Sequence, residues 1–185
     1  MLTEREFSEA HLRILRAWCG GAPDEALAEV RKVLGEGTPD MKARALLLRG
    51  MIKDGAGAAD EARLDWDAAL RYSRAGTYLR FRLECQIGEA LEREGKSAEA
   101  VGWYARALRT CAEGDEFSGH RALNAYLRLN GGKVAPDDEA VVASAAEKSW
   151  RVLELTGTPN LKDLPATIRD IDEGFSDLVR RTAAT

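Results

Sequence analysis

Along this chain apolar residues recur three or four positions apart with charges between them, the spacing of amphipathic helices; no stretch reads convincingly as a strand. From Glu4 to Trp18 the apolar set is Phe7, Ala10, Leu12, Ile14, Leu15 and Trp18, which predicts a helix ended by Gly20-Gly21. Pro23 and Asp24 suit the first turn of a second helix, which runs to Leu34 before Gly35, Gly37 and Pro39. Met41 to Lys53 forms a third, with Ala45, Leu46, Leu47, Leu48 and Ile52 so densely apolar that both faces must be covered. Phe117 to Leu129 reads as another helix. The one after Pro136 carries Val141, Val142, Ala145, Trp150, Leu153 and Leu155 and stops at Gly157-Thr158-Pro159.

The pattern repeats. Gly57, Glu61, Ala62, Trp66, Ala69 and Leu70 recur 38 positions later as Gly95, Glu99, Ala100, Tyr104, Ala107 and Leu108. Upstream, Gly21 to Ala26 restates the turn 36 positions before Gly57; downstream, Asn124 stands for Gly88, Gly131 for Gly95, and Glu139-Ala140 restores the Glu-Ala pair. Four helical hairpins are expected, at about 7–37, 43–76, 81–114 and 117–156. Small residues let two helices approach, so Gly50 and Gly88 are expected to face Ala62 and Ala100, with Trp66 and Tyr104 filling the space between one hairpin and the next.

A small residue in the first helix, an alanine opening the second, an aromatic four residues on and an alanine three after that resemble the tetratricopeptide repeat. The match is good at Gly50, Ala62, Trp66, Ala69 and at Gly88, Ala100, Tyr104, Ala107. It is looser in the first hairpin, where Ile14, Val30 and Val33 stand at those positions, and looser still in the fourth, with Ser144 and Glu147. The family's terminal proline is replaced by Arg74 and Ala112. The resemblance implies an all-α fold, a right-handed superhelix of stacked hairpins over residues 1–158. Residues 159–185 form a separate segment whose Ile168, Ile171, Phe175 and Leu178 make one seam of a helix beginning near Pro165. It reads as a C-terminal capping helix, with dimerisation or docking as the alternative.

Composition narrows the function. The net charge of −4 argues against general nucleic-acid binding, and no apolar run approaches a membrane span. The first residues lack the apolar core of a signal peptide, and three widely spaced cysteines suit a reducing cytoplasm. Ala- and Arg-rich usage is compatible with a bacterial source. His11 and His120 belong to no metal spacing, no Cys-x-x-Cys pair occurs, and no phosphate-cradling glycine loop follows a strand. Pairs such as Asp65 and Asp67 or Glu92 and Glu94 read as solvated helix faces. No catalytic set, cofactor or metal is therefore expected, and the chain reads as a non-enzyme.

What the resemblance implies instead is a concave groove lined by the first helix of each hairpin. It would hold His11, Leu12, Leu15 and Trp18; then Arg44, Leu47, Leu48 and Met51; then Arg82, Cys85, Gln86 and Glu89; then Arg121, Asn124, Ala125 and Arg128. An apolar half and a polar half with a cationic end suit a peptide or helix of a partner protein with an apolar anchor and an acidic flank. The family's carboxylate clamp is not carried over, since the matching positions are His11 and Leu15, Leu47 and Met51, Cys85 and Glu89. The alternative function is self-association, or a sensory segment of a larger signalling protein, with a homodimer through the C-terminal helix.

Overall fold

A computed structural model describes residues 1–114 and 119–156. Phe117 and the capping helix expected over 159–185 lie outside the described residues. Within them the chain is all-α: α1 (Glu4–Cys19), α2 (Pro23–Glu36), α3 (Pro39–Gly55), α4 (Ala59–Tyr72), α5 (Tyr78–Arg93), α6 (Ser97–Glu113), α7 (His120–Leu129), a 3-10 turn at Pro136–Asp138, and α8 (Glu139–Thr156). It divides into two compact units, Met1–Arg74 and Ala75–Thr185.

One local device makes every hairpin. At Gly21, Gly57, Gly95 and Gly131 φ is +79°, +83°, +75° and +59°, the left-handed region that only glycine enters at no steric cost. The next residue's N–H then reaches back five positions: Ala22 to Ala17, Ala58 to Lys53, Lys96 to Leu91 and Gly132 to Leu127. These bonds satisfy the last carbonyls of one helix and turn the chain into the next. The second helices α2, α4 and α6 start there without a side-chain cap, and Asp24, Asp60 and Glu99 place carboxylates against their N-terminal dipoles. The first helices start differently. Thr3, Thr38 and Thr77 accept from the N–H three residues on, and Thr3 completes a capping box with Glu6.

In the first unit α2 packs against both α1 and α3, and α3 also touches α1 and α4. Its core joins Phe7, Ala10, Ile14, Ala26, Val30, Val33, Met41, Ala45, Leu48 and Ile52. In the second unit α6 lies against α5, α7 and α8, and α8 also packs on α7.

The small-large pairing lies inside each hairpin, not between hairpins. A Cβ on Gly50 would stand 2.2 Å from Trp66 Nε1, and one on Gly88 would stand 3.0 Å from the Tyr104 ring. Each glycine therefore faces the aromatic itself, one turn beyond the alanine expected there, and the ring lies against bare helix backbone. The Trp66 indole N–H donates to the Leu47 carbonyl at 3.3 Å across the same gap. The first hairpin solves the problem in reverse, with Ile14 on α1 and Val30 on α2, both buried. Large and small have exchanged helices while the gap stays filled.

Candidate recognition surface

Helical spacing puts His11, Leu15 and Trp18 on one stripe of α1, with Leu12 beside it, and Arg44, Leu47 and Met51 on one stripe of α3. The stripes meet where the Arg44 guanidinium stands over the Phe7 ring, 5.9 Å from its centre, while the Phe7 and His11 rings tilt together at the same separation. Asp40, one turn before Arg44, holds that guanidinium at 2.8 Å. Leu12 is 51% exposed. Leu15, Trp18, Leu47 and Met51 are half-buried, and Leu15, Trp18 and Met51 lean on the core. Leu48 departs from the expected set: it is 5% exposed and part of the core, because its position one residue past Leu47 rotates it inward.

The His11 ring packs beside the Phe7 ring, within reach of the Arg44 charge. Its Nδ1 is buried without a hydrogen-bond partner. Burial, and then the Arg44 charge, hold its pKa below the ordinary histidine value, so the ring stays neutral at pH 7. This face of the first unit is therefore mainly apolar, with one cation already paired to Asp40.

The second unit corrects the expected cationic end. Arg121 of α7 is ion-paired with Glu89 of α5, and Arg128 Nη2 donates to Glu92 at 2.7 Å. Glu89 also accepts from Gln86 at 2.9 Å, and Glu92 from the Tyr104 hydroxyl at 3.2 Å. Two cations read as open to an acidic ligand are thus already matched by carboxylates. Gln86, Cys85 and Ala125 are buried, and Asn124 stands 2.9 Å from the His120 ring nitrogen. Arg82 is half-buried. Burial and then Glu89 push the Cys85 thiol far above its ordinary value, so it supplies no thiolate.

Three polar clusters were not legible as sites. Asp65, read as solvated, is buried; Arg49 grips it with two bonds, at 2.9 and 2.5 Å, and Lys53 adds a third cationic contact at 3.1 Å. Glu84, 1% exposed, accepts from the Thr110 hydroxyl at 2.7 Å and pairs with Arg80 at 3.2 Å. Asp138 accepts from the Tyr126 hydroxyl at 2.9 Å and from Arg109 at 2.5 Å. A signal did exist for two of them. Asp65 follows Ala62 by three and precedes Ala69 by four, and Glu84 stands likewise between Phe81 and Gly88, so each is a carboxylate on an apolar stripe. All three tie helices or turns together within a unit.

No family model, curated protein or solved structure matches the chain. Among the described residues no group of three or more His, Cys, Asp or Glu is placed to hold a metal ion, and no helix is long and apolar enough to cross a membrane.

Proposed function

We propose that the chain is a protein-recognition module of tetratricopeptide-like hairpins, which binds a peptide or helix of a partner noncovalently on the α1 and α3 stripes of the first unit. The observation that carries this reading is the cluster Leu12, Leu15, Leu47 and Met51, apolar and partly open to solvent on two neighbouring helices that a core already stabilises from the other side. Apolar side chains left open on a packed scaffold suit an apolar anchor. The second unit's facing helices do not favour an acidic flank, since Glu89 and Glu92 already occupy Arg121 and Arg128. Specificity would come from the apolar anchor, with His11 and Arg44 at its edge.

Selection from a random peptide library displayed on phage tests the reading. The purified chain should enrich peptides that share a large apolar residue, and Leu47→Glu should abolish their binding while leaving the melting temperature nearly unchanged, because Leu47 is half-exposed. Peptides that bind the wild type and Leu47→Glu alike, or no enrichment at all, would sink it.

A further inference from the structure

Two side chains share the Phe7 ring, which is 4% exposed and belongs to the core of the first unit. His11 tilts against it from one turn along α1, ring centre to ring centre 5.9 Å, and the Arg44 guanidinium of α3 stands over it at 5.9 Å. Arg44 is a permanent cation and His11 a conditional one. Arg44 is half in water and is held by Asp40 at 2.8 Å. Nothing comparable holds His11, whose Nδ1 is buried without a hydrogen-bond partner. One turn away on α1 stand Phe7, Ser8, Ile14 and Leu15, none of them ionisable near neutral pH, and the Ser8 hydroxyl already donates to the Glu4 carbonyl at 2.9 Å. From α3 the charges at this place are Arg44 and the Asp40 that holds it; among the described residues no charge of α2 bears on the ring. A neutral imidazole tolerates such a place. An imidazolium would carry two N–H donors, one of them buried without an acceptor, near a second cation and with Asp40 already engaged.

We propose that His11 is a proton-operated cover on Phe7: neutral, it closes over the apolar ring between the α1 and α3 stripes, and protonated, it turns out to water and opens that edge of the face. The orphaned nitrogen and the shared ring carry this. His11 is half-exposed, so the ring has somewhere to turn. Turning out hydrates the Nδ1–H, takes the imidazolium away from Arg44 and leaves Arg44 with Asp40. Burial first, and then Arg44, hold the pKa of the covering ring below the ordinary histidine value, whereas a ring turned out to water titrates near about 6.5. Protons therefore bind the open form more tightly, and its share grows as pH falls through about 6.5. Above that window the cover stays shut. The shift is bounded by the difference between the two pKa values, because a ligand moves an equilibrium only by its differential affinity. Release of a partner in acid rests on the recognition reading above; the movement of the cover does not.

An NMR titration of the intact chain from about pH 8 to about pH 5 tests it, following the His11 and Phe7 rings and the methyl groups of Leu15, Leu47 and Met51. In the wild type His11 should titrate with a midpoint below about 6.5. The nuclear Overhauser contact between the His11 and Phe7 rings should fade with that midpoint, and the methyl signals should move with it. His11→Phe keeps an aromatic ring beside Phe7 without a proton site, so its methyl signals should stay flat. Arg44→Gln should raise the His11 midpoint while leaving it below the ordinary value, since burial is the larger cause. A ring contact that persists in acid overturns the proposal, as do methyl signals that move equally in His11→Phe, which would put the titrating group elsewhere. An unchanged midpoint in Arg44→Gln refutes the shared ring as the cause. A peptide selected at neutral pH should lose affinity for the wild type over the same window, by about fivefold or more, and keep it for His11→Phe. An empty peptide selection would count against the recognition reading alone, and the titration would still decide this one.

Discussion

Replacing Gly50 by alanine should unfold the first unit more easily, although alanine is the better helix former. In a helix interior the change by itself should stabilise by about 1 kcal/mol. Against that, the new Cβ would lie 2.2, 2.6 and 2.8 Å from three atoms of the Trp66 indole. Ordinary carbon contacts begin near about 3.5 Å, so the ring must retreat by about 1.3 Å. Trp66 has no exposed surface, and overpacking of this kind costs about 1–3 kcal/mol. The retreat also draws the indole N–H from the Leu47 carbonyl, leaving a buried donor unsatisfied at about 1–3 kcal/mol. The net expectation is a loss of about 3 kcal/mol. Urea unfolding followed by circular dichroism reads it as a lower midpoint at unchanged slope. Gly102→Ala is the control: Gly102 lies inside α6, exposed, with nothing within 4 Å of its Cβ position, and should gain about 0.5–1 kcal/mol. Gly88→Ala, at 3.0 Å from Tyr104, should fall between them. A Gly50→Ala variant as stable as the wild type would refute the reasoning, because propensity would then outweigh the ring contact.

Two further predictions concern charges held between helices. Burial raises the Glu84 pKa above its ordinary value, against the hydrogen bond from Thr110 and the charges of Arg80 and Arg106. A carboxyl whose folded pKa exceeds its unfolded one binds protons more readily in the fold, so its contribution worsens as pH rises through that window. Wild-type stability measured relative to Glu84→Gln should therefore improve on acidification from neutral pH, and a flat or opposite difference would show that the arginines outweigh burial. Lys148 donates its ammonium to the carbonyls of Cys111, at 2.8 Å, Ala112, at 3.1 Å, and Gly114, closing the C-terminal end of α6 from α8. Lys148→Met should lose about 1–3 kcal/mol and speed amide exchange in α8, whereas Lys148→Arg should retain most of the protection; equal exchange in all three proteins would refute this role.

The helical period and the four turn glycines are legible in the residues alone, because each is a local property. Periodicity needs only a few consecutive turns, and a left-handed φ is a demand on one residue. Helix ends were legible to within a turn for the same reason: Pro23, Gly57 and Gly95 act on their own neighbours.

What only the tertiary structure decided is which partner each side chain meets. Trp66 could have filled the gap beyond its hairpin; the backbone opened by Gly50 placed it within. Asp65 and Arg49 lie 16 residues apart, Thr110 and Glu84 26, Arg128 and Glu92 36. Charges so separated meet only when two helices pack at a particular distance and rotation, which no single-helix pattern encodes. That packing turned Leu48, Cys85 and Gln86 inward, and it gave Arg121 and Arg128 carboxylates of their own. On the α1 and α3 stripes Leu12 is exposed while Leu15, Trp18, Leu47 and Met51 are half-buried, because other residues of the same helices fill the core beneath them.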